Sequence, residues 1–303
     1  MKFLLFSDWH YDPGIFYERT LEDLHMLERR AIEEGCDFII HAGDFCTGGE
    51  SVEDYIREYN GFSVPTYHCL GNHDSDRTSY EKTVKRYGMP NGYYYFDVKG
   101  YRMVVLDPNY LCLDGKYVPY SESNYYPHPD ARDHVPPEQL KWLEETIASS
   151  PNPCIVISHE SFGRDEDPIQ NYLEIRKVLN DANKRKKHSV LMCICGHYHC
   201  NHMRILDGIC YLEMPSATFY ALPKPHNFYP KEETEKFSYV DSTLVFDDPL
   251  YAILTVEGTT ITVEGNETTM HLGVTHSMVT NYPYDDNGRI CEPKIHSERI
   301  TLL

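Results

Sequence analysis

Val64-Pro65-Thr66-Tyr67-His68-Cys69-Leu70-Gly71-Asn72-His73-Asp74 is an apolar run that breaks at a glycine and ends in an amide, an imidazole and a carboxylate. A short apolar run bounded by turn residues reads as a buried strand. The amide oxygen can ligate a metal, and the imidazole can ligate one or move a proton. Alone, Gly-Asn-His-Asp is equally an ordinary turn, with glycine for the bend and Asn/Asp for the turn chemistry. The choice between these readings depends on whether the pattern of strand followed by ligating residues recurs.

It recurs on both sides. Lys2 to Ser7 reads as a buried strand and ends at Asp8-Trp9-His10. In extended backbone, residues i and i+2 share a side, so Asp8 and His10 are expected to reach one metal together. Thr20 caps a helix with Leu21, Leu24, Leu27 and Ala31 on one face, closed by Gly35. Asp37 to His41 is a second strand, ending at Gly43-Asp44, and Ser51 to Tyr59 reads as helix. Asp76 to Tyr87 is a third helix candidate. This βαβαβα rhythm predicts a parallel sheet covered by helices, with a ligand crevice at the strands' carboxyl ends. Asp8, His10, Asp44, Asn72 and His73 all fall there.

Downstream, Tyr93–Phe96 and Tyr101–Leu106 read as a hairpin around Lys99-Gly100. Asp107 to Pro136 is long, rich in Tyr and Pro, and without periodicity, and so is expected to be a functional loop. A helix from Pro137 to about Ala148 follows, then a strand, Cys154–Ser158, ending at His159. Tyr172–Asn183 is helical, and Val190–Ile194 is a strand leading to Gly196-His197-Tyr198-His199, where the same i, i+2 expectation applies. Met203–Met214 reads as two strands around Asp207-Gly208. Phe219–Ser238 is a second irregular stretch, and Tyr251–Thr255 with Thr260–Val263 forms a further hairpin. The expected organisation is one domain over residues 1–265, with a C-terminal extension, 266–303, β-rich or irregular and packed on it.

The chain has 303 residues, with 28 Lys+Arg against 47 Asp+Glu, a formal charge of −19. That balance argues against an extended nucleic-acid surface or an anionic-membrane surface, both of which need basic stripes. A small phosphate ester remains compatible with it if bound cations offset the field locally. Ten cysteines over this length are not a disulfide scaffold, and several sit in apolar runs as small core residues. Met1–Phe6 is too short for a secretory leader, and no apolar stretch reaches membrane-spanning length. The expectation is a cytoplasmic, soluble protein.

The ordered set Asp8-x-His10, Gly43-Asp44, Gly71-Asn72-His73-Asp74, strand-terminal His159 and Gly196-His197-x-His199 resembles the calcineurin-like metallophosphoesterase superfamily over residues 1 to 265. Gln139-x-x-Trp142-Leu143 and Met214-Pro215-Ser216 fit it too. The resemblance implies an α/β fold, a four-layer αββα sandwich of two mixed β-sheets flanked by helices, with a dinuclear metal site at the strand carboxyl ends. It implies that Asp8, His10, Asp44 and His199 hold one metal, and that Asp44, Asn72, His159 and His197 hold the other, with Asp44 bridging. His73 would be no ligand. It would contact substrate and protonate the leaving oxygen or stabilise the phosphoryl charge. The cofactors implied are two divalent or mixed-valence ions of the Mn/Fe/Zn type, suited to oxygen and nitrogen donors. The activity implied is hydrolysis of a small phosphate ester by a hydroxide bridging the metals.

Thr47 stands where purple acid phosphatases carry a tyrosine, so a tyrosinate–iron ligand is not supported. The acidic surface and lack of an added domain speak against the DNA-repair nucleases. What remains resembles the bacterial-type single-domain phosphodiesterases acting on cyclic nucleotides or glycerophosphodiesters. A phosphomonoesterase or nucleotidase would use the same site, with an added cation from Lys116, Arg132 or Lys224. A non-catalytic metal-binding scaffold is the third reading. Asn72, His73 and Arg132 are the candidate substrate contacts. His41 and His68 read as hydrogen-bonded core histidines. The Tyr-rich loop (Tyr110, Tyr117, Tyr120, Tyr125, Tyr126) either stacks a base, caps the site or meets a second subunit in a homo-oligomer.

Overall fold

The structure is a computed structural model that describes residues 1–17, 19–165, 167–279 and 291–303. Its strands in chain order are β1 Lys2–Phe6, β2 Phe38–His41, β3 Thr66–Tyr67, β4 Tyr94–Val98, β5 Tyr101–Val105, β6 Tyr110–Leu113, β7 Lys116–Pro119 and β8 Cys154–Ile157. They continue as β9 Val190–Cys195, β10 His202–Leu206, β11 Ile209–Glu213, β12 Phe219–Ala221, β13 Thr243–Val245, β14 Ala252–Glu257, β15 Thr260–Gly265 and β16 Glu298–Thr301. The helices are α1 Leu21–Glu33, α2 Glu53–Asn60, α3 Tyr80–Arg86, α4 Pro137–Ala148, α5 Tyr172–Arg185 and α6 Lys231–Lys236.

Two six-stranded mixed sheets carry the fold, ordered β16-β15-β14-β1-β2-β3 and β10-β11-β9-β8-β5-β4. In the first, β1, β2 and β3 run parallel, and β14 closes antiparallel on β1. In the second, β5, β8, β9 and β11 run parallel. Strand alternation sorts the side chains into layers. Along β1, Phe3 and Leu5 enter the core between the sheets, while Leu4 and Phe6 face Leu24, Leu27 and Ala31 of α1 and Ile56 and Tyr59 of α2. Along β8, Ile155 and Ile157 face the first sheet. Val156 faces Leu143 and Ile147 of α4 and Ile175 and Leu179 of α5. The result is the four-layer αββα sandwich. Each layer depends on such residues, and truncating fully buried Leu5 to Ala would cost about 2–5 kcal/mol.

Local chemistry sets the element ends. Thr20 and Asp23 form a reciprocal capping box at the start of α1, with Asp23 Oδ2 accepting the Thr20 N–H at 2.7 Å. The expected third strand shrinks to Thr66–Tyr67, because from His68 onward the Tyr94 side chain replaces a strand partner. Its hydroxyl meets His68 N at 3.2 Å and His68 O at 2.7 Å. The expected helix from Asp76 begins only at Tyr80, where Ser79 caps it, and residues 72–78 form successive turns. The irregular stretch 107–136 holds a hairpin, β6–β7, turning at Asp114-Gly115. Both turn residues have positive φ (50° and 76°), which a tight hairpin turn requires. Stretch 219–238 holds β12 and α6.

At the C-terminus, β16 pairs with β15, and Ile295 and Leu302 lie in the inter-sheet core. The expectation of a β-rich or irregular tail also covers residues 280–290, which lie outside the described residues. Among the described residues no helix is long and apolar enough to cross a membrane.

Candidate metal centre

Parallel strands β1 and β2 end side by side, and their continuations stay paired. Asp8 N donates to Gly43 O (3.0 Å), His10 N to Asp44 O (2.9 Å) and Tyr11 N to Phe45 O (2.9 Å). Asp8 and His10 do converge, but not by strand alternation. Both lie beyond β1 in left-handed backbone, with φ of 51° and 52°. Asp44 (49°), His197 (71°) and His199 (51°) adopt the same region. Left-handed turns curl these side chains over the sheet ends, where extended backbone would carry them past.

Two groups of ligand-type atoms result, Asp8/His10/His199 and Asp44/His159/His197, each within 4.8 Å of one another. In the first, the Nε2 atoms of His10 and His199 face each other at 3.1 Å, and Asp8 Oδ1 lies 3.3 Å from His199 Nε2. In the second, His197 Nδ1 lies 3.0 Å from Asn72 Oδ1 and 3.3 Å from His159 Nε2, which is 3.1 Å from Asp44 Oδ2. Asp44 Oδ2 also lies 3.8 Å from His10 Nε2, so its carboxylate stands between the groups.

This donor set fits two cations. His159 Nδ1 donates to Ala42 O at 2.7 Å, which turns Nε2 toward Asp44; burial works against charge on this ring, but Asp44 and Asp8 outweigh it and hold His159 well above its ordinary value. Such second hydrogen bonds fix the tautomer of ligating histidines. Burial pushes His10 and His197 down to about 3, so both are neutral, as ligands must be. Asp8 is ionised: burial opposes its charge, but His159 and His199 outweigh burial and hold it at about 2.

Asn72 joins the second group, and its Nδ2 donates to Tyr125 Oη at 3.3 Å. His73 stands apart from both groups. Its N–H donates to Asp44 Oδ1 (2.8 Å), and its Nδ1 pairs with Asp76 Oδ2 (2.7 Å). Burial works against its charge, but Asp44 and the Asp76 hydrogen bond raise it to about 9. Arg132 is not brought to the site. Its guanidinium donates to the carbonyls of Tyr125 and Tyr126 (3.0 and 3.1 Å) and lies against their rings.

Sequence reasoning missed the residues that hold these loops. Asp74, 1% exposed, accepts from Gly71 N (2.7 Å) and Asp44 N (3.1 Å) on Oδ2, and from Cys46 N (3.0 Å) and Tyr87 Oη (2.6 Å) on Oδ1. It ties the Asp44 loop to the Asn72 loop. Asp76 sits three residues after His73, a spacing that could have suggested the pair. His41 and His68 are core histidines, joined at 2.7 Å, with His68 Nε2 on Asn60 Oδ1 at 2.7 Å. The chain ends on Gly43 N, which donates to His41 Nδ1 at 3.2 Å beside Asp44. Gly71 gives room to a ligand, since a Cβ there would lie 2.2 Å from Asp44 Oδ1.

Residues 1–201 match the calcineurin-like phosphoesterase family model. No curated protein sequence matches the chain. Among solved structures, a dimetal phosphatase from Danio rerio is 16% identical with a TM-score of 0.61, covering 90% of this chain and 99% of that one. GAP50, the anchor in the inner membrane complex of Plasmodium, is 13% identical with a TM-score of 0.52, covering 100% and 89%. At these identities the likeness is one of fold.

Proposed function

The chain belongs to the calcineurin-like phosphoesterase family, which uses a dinuclear metal site, and on that premise we propose that it hydrolyses small phosphodiesters. Asp8, His10 and His199 would hold one cation, and Asn72, His159 and His197 the other, with Asp44 shared. When bound, two such cations neutralise phosphoryl oxygens and lower the pKa of an attacking water. The chain's own contribution is positional and protonic. Asp76 fixes His73 through Nδ1, leaving Nε2 as the ring nitrogen for the cavity that His73 lines. His73, held by Asp76, gives a proton to the leaving oxygen. Asn72 orients substrate from beside the second group, with its amide anchored on Tyr125.

The observation that carries the diester reading is the charge around the cavity of about 520 Å³ over the two groups. Among the described residues, Arg77 is the one lysine or arginine that lines it. Both of its terminal nitrogens are engaged by Asp12, at 3.0 and 2.7 Å. Lys116, Arg132 and Lys224 do not line it. A dianionic monoester favours a further cation, whereas a monoanionic diester does not need one. A phosphomonoesterase on the same site is the second reading, favoured by the name of the Danio rerio relative, a dimetal phosphatase. Turnover of bis(p-nitrophenyl) phosphate against p-nitrophenyl phosphate, after metal stripping and reloading with Mn, Zn or Fe, separates them. A kcat/KM at least about tenfold higher for the monoester would overturn the diester reading.

A further inference from the structure

The cavity has two unlike halves. One is built of the imidazoles and carboxylates described above. The other is an aromatic wall made by three separate segments: Phe16 from the loop after β1, Phe219 at the start of β12, and Tyr239 from the turn before β13. Phe16 and Phe219 stack with centroids 5.1 Å apart at 16°. Tyr239 meets Phe16 edge-on at 5.5 Å and 76°. Phe219 also lies 5.2 Å from the His10 ring and 5.4 Å from the His199 ring, so the wall begins where the first ligand group ends.

The wall is held in place. Tyr239 N donates to Ile15 O (2.9 Å), and Ser238 N to Gly14 O (3.1 Å), stitching the turn to the Phe16 loop. The Asp12–Arg77 pair ties that loop to the segment following His73. Tyr239 keeps 49% of its surface exposed and Phe16 is half-buried, so a fixed apolar face stands open at the mouth of a charged site. A continuous apolar face beside convergent polar groups is what a small-molecule pocket presents to a ligand with one charged and one apolar end.

We infer that this wall receives a flat heteroaromatic ring joined to the scissile phosphate, making the substrate a nucleotide-class diester and not a glycerol-type one. The inference rests on the phosphodiesterase reading for the phosphate end. The wall itself selects the rest of the substrate. A ring laid on one face of this wall, with the next ring meeting its edge, gains aromatic contact that a polyol cannot. The cavity volume, about 520 Å³, falls in the range of pockets for ligands of nucleotide size. With no unpaired lysine or arginine among its described lining residues, the cavity offers a second phosphate no clamp. Selectivity therefore falls on the ring.

The test is calorimetric binding of adenosine 5′-monophosphate and of ribose 5-phosphate to the Mn²⁺-loaded protein, beside bis(p-nitrophenyl) phosphate turnover. The two ligands share a phosphate and a sugar and differ by the ring. Adenosine monophosphate is expected to bind about tenfold tighter, consistent with one base–aromatic stack. Phe16→Leu should remove about fivefold or more of that preference while moving ribose 5-phosphate by less than about twofold. Tyr239→Leu, at an exposed rim position, repeats the measurement should Phe16→Leu fail to fold. Equal affinity of the two ligands for the wild-type protein overturns the inference, as does a variant that weakens both alike. Turnover without ring preference sinks this inference alone, and ring preference without diester turnover sinks the diester reading, with the diester half of this inference, and leaves the wall as a ring-binding site.

Discussion

Gly71→Ala tests the geometry of the metal centre with one methyl group. Gly71 has no positive φ, so alanine suits its backbone, and the penalty is one of space alone. The new Cβ would sit 2.2 Å from Asp44 Oδ1 and 2.3 Å from Asp44 N, where real Cβ contacts stay beyond 3.0 Å. Asp44 must therefore retreat by about 0.8 Å, while metal–ligand distances tolerate roughly 0.2 Å. Neither side yields cheaply, because Asp74 holds the backbone N–H groups of both Gly71 and Asp44. Overpacking of this kind costs about 1–3 kcal/mol of stability. The larger effect falls on metal binding, since Asp44 stands between the two ligand groups. The expected loss is at least about 100-fold in affinity at one or both sites. Gly92→Ala is the control. Its Cβ would meet Tyr80 Oη at 1.9 Å, an equally close contact away from the metal centre. It should lower the melting temperature and leave metal stoichiometry intact. Mn²⁺ titration calorimetry with thermal melts of both variants reads this out. A Gly71→Ala protein that binds metal with wild-type stoichiometry and affinity would refute the reasoning.

Other expectations follow from the same contacts. His73→Asn should slow diesters with a poor alkoxide leaving group by about 10²–10⁴-fold and p-nitrophenyl diesters far less, because a good leaving group needs no proton; equal losses would remove His73 as the acid. In the metal-free protein, His73 titrates at about 9, above its ordinary value of 6.5. Its charged form therefore stabilises the fold fully below pH 6.5, and that contribution is lost as pH rises through 9. The gap in melting temperature between wild type and His73→Asn should close over that window, and a gap that widens would contradict the ion pair with Asp76. Asp74→Asn should cost about 2–4 kcal/mol in urea unfolding, since an amide in this pocket leaves at least one buried N–H unpaired. A change within about 0.5 kcal/mol would mean that Asp74 does not tie the loops together.

The sequence was legible where periodicity and punctuation agree. β1, α1 with its Thr20 cap, the β4–β5 hairpin and the β14–β15 hairpin were all readable, because burial on one or both faces leaves a pattern of period 2 or 3.6. The hairpin β6–β7 was missed although Asp114-Gly115 is a strong turn signal, because the surrounding Tyr and Pro residues mask the alternation. The helix expected from Asp76 was placed too early, since Ser79 is the cap and the preceding residues serve Asp74 and His73. Arg132 illustrates the limit of sequence reasoning: its charge is visible in the sequence, but its commitment to two tyrosine carbonyls is not. The aromatic wall was likewise invisible, because Phe16, Phe219 and Tyr239 meet only through loop geometry, which local patterns do not encode.

The candidate ligands were found in the sequence for a reason that was only half right. Alternation in an extended strand predicts that Asp8 and His10 share a side, yet both stand in left-handed backbone, as do Asp44, His197 and His199. Among the described residues, five of the fourteen non-glycine positions with positive φ are therefore candidate ligands. Each such residue costs on the order of 1 kcal/mol or more and persists only where its surroundings over-determine it. Here the surroundings are the Asp8–Gly43 and His10–Asp44 backbone bonds, the His197 N–H on Asp8, and the four donors on Asp74. Contacts of this kind are expected to hold the turns without help from a cation, so that little binding free energy is consumed in ordering loops. Metal removal should consequently leave the far-UV spectrum unchanged and lower the melting temperature only by mass action, in proportion to the logarithm of free metal. Loss of helical or strand signal on chelation would show instead that the cations assemble the loops, and that the left-handed turns are a product of metal binding and not its precondition.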